Sequence, residues 1–287
     1  GVSFTLKQGE TLAFVGPPGS GKTTLARTLA LLEPPTSGRV LLDGEELGMG
    51  RGRYRQRIQM VFSNPYTAFA PRMRVEEILR EASRLANRSS RQETDAWIAG
   101  LMRQVGLNLY VTIRFPRELS GGMRQRLGIA RALATRPDLL ICDQPGAFLN
   151  PAVGDAIIDL LHQLQQQLGF ATLLTSRNLE DARHADRVAI MLQGRIVEMA
   201  YYSELVRNPL HPFTQVALQL RAPASKMQAA PEGNFSRPSE GCPYAKQCPL
   251  VEPRCHVDHP IFVAGAPNHG VACHLVEPFQ EGAVEIN

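Results

Sequence analysis

Long apolar runs are what this sequence most lacks. No stretch approaches the ~20 consecutive apolar residues that a helix needs to cross a bilayer, although hydrophobic residues make up 44% of the 287 positions. The charged-then-apolar pattern of a secretory signal is also missing at the start. The expectation is a chain that neither spans a membrane nor is exported. Charge of one sign is not in large excess: 31 Lys and Arg against 27 Asp and Glu leave a net +4. A nucleic acid, an anionic membrane surface or a nucleotide could each exploit so mild a balance, and it decides nothing among them. Cysteine is sparse, with five residues, and four of the five fall within the last 46 positions. In a reducing compartment such a cluster reads first as a metal site. An initiator methionine is absent too. The chain opens at Gly1, inside the alternation Val2-Ser3-Phe4-Thr5-Leu6, which predicts a strand and an N-terminal piece that precedes it. The length fits one large domain or one domain with an appendage.

The strongest signal lies near the start. Thr11-Leu12-Ala13-Phe14-Val15 is an apolar run suited to a buried strand. Gly16-Pro17-Pro18-Gly19-Ser20-Gly21-Lys22-Thr23 follows and fits G-x-x-x-x-G-K-[ST], and Thr24 to Ala30 has a helical pattern. Strand, loop and helix are the context this motif requires. The glycines Gly16, Gly19 and Gly21 let the backbone curl so that its N–H groups face phosphate oxygens at a helix N-terminus. Lys22 is expected to reach the β- and γ-phosphates, and the Thr23 hydroxyl to ligate Mg²⁺. Pro17 and Pro18 have no N–H to offer, but Gly19, Ser20, Gly21, Lys22, Thr23 and Thr24 keep theirs. The motif occurs once, giving one nucleotide half-site per chain.

Leu119-Ser120-Gly121-Gly122-Met123-Arg124-Gln125-Arg126, followed by a helical pattern, is a second anion cradle. It closely resembles the LSGGQ signature of ABC (ATP-binding-cassette) ATPases, with Met in the last place. That resemblance implies that Ser120, Gly121 and Gly122 grip the γ-phosphate of ATP held by another subunit in a head-to-tail dimer. Pro137 to Asp143 is an apolar strand ending in a carboxylate. It resembles the Walker B element, which makes Asp143 a Mg²⁺ residue. Ala185 to Glu198, turning at Gln193-Gly194, resembles the closing strand pair of the core. The implied fold is α/β: a P-loop NTPase (RecA-like) ABC core over about residues 1–200. Its helical subdomain, about 71–120, has helical spacing from Glu76 to Arg91 and from Thr94 to Val105, and presents the signature.

Four positions depart from the family pattern, all in catalysis. Ser63 stands where the Q-loop glutamine is expected. Gln144 replaces the glutamate that polarises the attacking water. Asn150 takes the usual aspartate place of the D-loop, and Arg177 that of the switch histidine. Loss of a general base costs ~10²–10⁴-fold in rate, so slow turnover on this subunit is expected while the binding residues are kept. The family also stacks an aromatic on adenine upstream of the first strand, a place that lies ahead of Gly1 where this sequence begins.

Glu204 to Thr214 resembles the segment after the core in peptide and nickel importer ATPases, with His211 and Phe213 as packing and turn residues. A linker is expected over about 222–240 within a C-terminal extension, 201–287. Cys242, Cys248, Cys255 and Cys273 have the spacing C-x5-C-x6-C-x17-C, and four thiolates are a ligand set for a [4Fe–4S] cluster or for Zn²⁺. Resemblance to dipeptide-importer subunits favours iron–sulfur. His256, His259, His269 and His274 are alternative ligands, and a small hydrophobic knot of reduced thiols is the plain alternative. Cys142 reads as core packing.

The expected function is the ATP-binding subunit of an importer for peptides or related small solutes, nickel included, at the cytoplasmic membrane face. Its expected cofactors are ATP and Mg²⁺. Its expected partners are a non-identical second ATPase, two membrane permeases and, indirectly, an extracytoplasmic solute-binding protein, with no nucleic acid. A regulatory or ribosome-associated ABC protein is the alternative. Those proteins usually carry two cassettes or a coiled-coil insertion, and neither is seen here.

Overall fold

The computed structural model describes residues 1–48, 54–84, 90–219 and 240–279. In chain order come strand β1 (Thr11–Val15), helix α1 (Lys22–Leu29), β2 (Leu41–Leu42), β3 (Glu45–Glu46), β4 (Ile58–Val61), α2 (Val75–Arg84), α3 (Arg91–Gln104) and α4 (Gly121–Leu133). Next are β5 (Leu139–Asp143), α5 (Pro151–Leu168), β6 (Ala171–Ser176), β7 (Arg187–Leu192), β8 (Arg195–Tyr201), α6 (Tyr202–Arg207), α7 (Pro212–Gln219), α8 (Arg254–Val257), β9 (Val263–Ala266) and β10 (His269–Val271). They divide into two compact units. One holds Leu6–Thr11 and Thr23–Ser176, the other Gly1–Thr5, Leu12–Lys22 and Arg177–Asn287.

In the unit carrying Thr23–Ser176, β4, β5 and β6 run parallel, with Ile58 opposite Leu139 and Leu139 opposite Ala171. Parallel strands covered on both faces need apolar residues throughout. Met60, Val61, Leu140, Ile141, Cys142 and Leu173 supply them, all buried. Helix α5 joins β5 to β6. Asn150 caps its start, and Gly169, at φ 73°, turns the chain out of it in the left-handed conformation that glycine adopts without a Cβ clash. Helices α2, α3 and α4 pack together through buried Ile78, Leu79, Leu101, Met102, Leu127 and Ile129.

The other unit has β1 parallel to β7, with Leu12 opposite Arg187. Strand β8 pairs antiparallel with β7, and β10 with β8 and β9. The β7–β8 turn places Gln193 and Gly194 at φ 46° and 76°, both left-handed, as a two-residue hairpin turn requires.

The expected α/β architecture with a parallel sheet is what forms. Two local expectations change. Val2 to Leu6 alternates in exposure but belongs to no strand; Phe4 instead packs edge-on against Phe14, with ring centroids 5.0 Å apart. The helix expected from Glu76 to Arg91 ends among the described residues at Arg84, and Arg91 opens α3. Ser90 sets the start of α3: its side chain caps the Glu93 N–H while the Glu93 carboxylate accepts from the Ser90 N–H. The linker expected over 222–240 lies outside the described residues except for Glu240.

Candidate nucleotide site and cysteine cavity

Strand β1 delivers the chain directly into the phosphate loop. Gly16 lies where a Cβ would meet the Met191 carbonyl oxygen at 2.2 Å, so a side chain cannot pass there without moving backbone. Gly19 and Gly21 have φ of 77° and 97°, the conformation that brings successive amides to one side. Ser20, fully buried, accepts the Gly194 N–H at 2.8 Å through its carbonyl. The Lys22 ammonium donates to Gly16 O (2.8 Å), Pro17 O (2.9 Å) and Ser20 Oγ (2.9 Å). The loop is thus wrapped around a buried cation by its own acceptors.

The other unit begins at the next residue. Thr23 Oγ1 donates to Asp143 Oδ1 at 3.1 Å, and Thr175 Oγ1 donates to the same oxygen at 2.6 Å. Asp143 is only 3% exposed. Gln144 Nε2 donates to Thr23 Oγ1 at 3.4 Å, and the Gln144 N–H is shared between the carbonyl and the hydroxyl of Thr175. Gln144 itself sits at φ 45°, a costly region for a non-glycine residue. A hydroxyl and a carboxylate are hard oxygen donors of the kind Mg²⁺ takes.

Thr175 was not singled out in the sequence; a threonine at an inward position beside the acidic end of a parallel strand is the signal. Replacing it with valine keeps the shape and deletes the bond to a buried carboxylate. The expected result is a loss of about 1–2 kcal/mol in urea unfolding and several-fold weaker Mg²⁺-dependent nucleotide binding by titration calorimetry.

Ser120 caps α4, accepting the Met123 N–H at 3.3 Å. A Cβ on Gly121 would meet Leu149 Cδ2 and Tyr66 Oη at 3.0 Å, and one on Gly122 would meet Val153 Cγ1 at 2.7 Å. Both signature glycines therefore have a packing role within the chain. Gln125, 2% exposed, donates to Phe62 O at 3.2 Å and ties α4 to the segment that holds half-buried Ser63. Asn150 accepts the Val153 N–H at 2.9 Å. Asn and Asp cap equally well, so this departure leaves the local structure intact. Arg177 and Thr24 are exposed.

The four C-terminal cysteines, all free, line one small cavity with His211, Tyr244 and His274. Burial pushes the Cys242 thiol up to about 11 and raises Cys248 and Cys273 as well. Cys242 N–H donates to Cys255 O at 2.8 Å, and a Cβ on Gly241 would come within 2.2 Å of that oxygen, so the knot is tightly folded. Among the described residues no three His, Cys, Asp or Glu side chains are arranged to hold a single metal ion. Of the alternative histidines, His269 Nε2 is 2.7 Å from Glu198 Oε1, His274 Nε2 is 3.0 Å from Asp258 O, His259 Nδ1 is buried with no partner among the described residues, and His256 is exposed. Glu198, fully buried, also accepts the N–H groups of Leu210 and His211. Sequence reasoning missed it, though a carboxylate inside the apolar run Ile196-Val197-Glu198-Met199 is a visible signal. Cys142 is fully buried in β5, and burial raises its thiol far above the usual range.

The profile of the ABC transporter family matches residues 1–147. This chain belongs to the ABC transporter family. It is 37% identical over 290 residues to the oligopeptide transport ATP-binding protein AppF of Bacillus subtilis, covering 96% of this chain and 88% of the relative. It is 40% identical over 290 residues to a probable peptide ABC transporter ATP-binding protein, y4tS, of Sinorhizobium fredii, covering 96% and 82%. Its fold matches the structure of cbiO1 from Clostridium perfringens, part of the ABC transporter complex cbiONQ. The TM-score there is 0.66 at 25% identity, covering 77% of this chain and 88% of that one. By family the chain is an ABC-type ATPase. Among its described residues no helix is long and apolar enough to cross a membrane.

Proposed function

We propose that this ABC-family chain is the ATP-binding subunit of a peptide importer, and that it binds Mg-ATP tightly but hydrolyses it slowly. One observation carries the reading: the residues that bind phosphate and Mg²⁺ are kept while those that activate water are replaced. In this account Lys22 exchanges its loop acceptors for phosphate oxygens, and Thr23 and Asp143 hold Mg²⁺, which offsets phosphate charge. Thr175 and the Gln144 N–H keep the end of β5 in place. The Gln144 amide orients by hydrogen bonding but takes no proton from water, Arg177 supplies a cation where the family has a histidine, and Ser63 is too short for the glutamine it replaces. ATP then acts chiefly by closing a head-to-tail dimer, and Ser120, Gly121 and Gly122 complete the site of a non-identical partner ATPase.

The peptide reading comes from the relatives, AppF and y4tS. It implies two membrane permeases, an extracytoplasmic solute-binding protein, a place on the cytoplasmic membrane face, and no nucleic-acid partner. An affinity-tagged chain from its own host's membranes should bring down a second ATPase and two membrane proteins. Deleting its gene should abolish uptake of labelled oligopeptides. Co-purified ribosomes or DNA, with peptide uptake intact, would favour a non-transport role; lost uptake of a nickel chelate alone would make nickel the cargo.

We also propose that Cys242, Cys248, Cys255 and Cys273 hold an iron–sulfur cluster. Four cysteines lining one cavity offer the four thiolates that such a cluster takes, and the resemblance to dipeptide-importer subunits supports iron–sulfur. When bound, the group would supply a redox-active iron–sulfur centre. Chain reconstituted anaerobically with ferrous iron and sulfide is expected to retain about four of each, and Cys255→Ser to lose most of both.

A further inference from the structure

The wall of the cysteine cavity contains a polar group that has no partner among the described residues. His211 is 1% exposed and lines the cavity with all four cysteines. Its Nδ1 accepts the Phe213 N–H at 3.1 Å, so the ring proton resides on Nε2. That Nε2 is buried and has no hydrogen-bond partner among the described residues. An unpartnered buried N–H costs ≈ 1–3 kcal/mol, a penalty a fold rarely keeps without use. The ring is not free to turn toward another acceptor. The backbone N–H of His211 is held by Glu198 Oε2 at 3.1 Å, Phe213 holds Nδ1, and Tyr244 stands beside the ring at 6.1 Å between centroids.

We propose that His211 donates a hydrogen bond from Nε2 to a sulfur of the iron–sulfur cluster held by the four cysteines, and so raises its reduction potential. This rests on reading those cysteines as cluster ligands. The chemistry is general: thiolate and sulfide sulfurs carry partial negative charge that grows on reduction. An N–H aimed at them stabilises the reduced form more than the oxidised one, and outer hydrogen bonds of this kind set cluster potentials. His211 is thus a positioning and tuning residue, with cysteine providing every ligand. Glu198 orients it indirectly, through the backbone of residues 210 and 211.

The test uses the full chain, reconstituted anaerobically with ferrous iron and sulfide, as wild type, His211→Asn and His211→Gln. Asn can place an oxygen near the Nδ1 position and keep the Phe213 N–H satisfied, but it carries no donor to the Nε2 position. Gln carries its amide further, to about where Nε2 lies. All three are expected to retain equal iron and sulfide. In mediator titrations followed by visible absorbance, His211→Asn should shift the potential negative by about tenfold in the reduction equilibrium, about 59 mV for a one-electron couple, and His211→Gln should recover most of it. Equal potentials in wild type and His211→Asn would overturn the hydrogen bond while leaving the cluster in place. Iron lost from both variants but held by wild type would make the ring a ligand or a structural prop, which also overturns it. A wild type that holds no stoichiometric iron and sulfide would overturn the cluster reading, and the role of His211 with it.

Discussion

Replacing Lys22 with methionine is expected to weaken Mg-ATP binding by at least ~100-fold, about 2.8 kcal/mol at 1.4 kcal/mol per tenfold. Methionine keeps the length of the buried stem and removes only the charge and its donors. The ammonium makes three bonds of 2.8–2.9 Å to Gly16 O, Pro17 O and Ser20 Oγ. Charge-assisted bonds of this type contribute ≈ 1.5–3 kcal/mol, and phosphate oxygens are stronger acceptors than the loop carbonyls they would replace. The same substitution leaves three acceptors without their buried cation, so stability should fall as well, by about 1–3 kcal/mol. Titration calorimetry and urea unfolding measure the two effects separately. An affinity within threefold of wild type would mean that the loop does not hold the phosphates.

Gly16→Ala is expected to be severely damaging. The new carbon would lie 2.2 Å from the Met191 carbonyl oxygen, and that oxygen belongs to β7, which β1 pairs with through Val15 and Ile190. A backbone atom cannot rotate away as a side chain can, so the strands must part. Overpacking in well-packed cores costs 1–3 kcal/mol and occasionally more; about 3 kcal/mol is expected here, together with loss of nucleotide binding. A midpoint unchanged in urea would show that β1 and β7 have slack there.

Much of this was legible in the sequence because the signals were local. The run Thr11 to Val15 becomes β1 with those limits, and Gln193-Gly194 makes the expected turn, since periodicity and turn chemistry are written into neighbouring residues. The misreadings have the same origin. Val2 to Leu6 alternates like a strand, but a strand also needs a partner edge, which alternation does not specify. Arg91 was assigned to the preceding helix because apolar spacing runs through it; the Ser90-to-Glu93 capping box was present and overrode the spacing. The least legible features join residues far apart in sequence. The Asp143 carboxylate depends on Thr23, 120 positions before it, and on Thr175, 32 positions after it. Glu198 gathers His269, Leu210 and His211 from two later segments. Such clusters are fixed by the fold, and a linear reading shows only the oddity of a lone carboxylate in an apolar run.

The central claim is that ATP binds here and is turned over slowly because the water-activating groups are gone. Mg-ATP binding and single-turnover hydrolysis should be measured on the purified chain beside a version carrying Ser63→Gln, Gln144→Glu, Asn150→Asp and Arg177→His. Both are expected to bind ATP alike, and the restored chain to hydrolyse it ~10²-fold faster or more. Equal turnover in the two chains would contradict the account and make this an ordinary working ATPase.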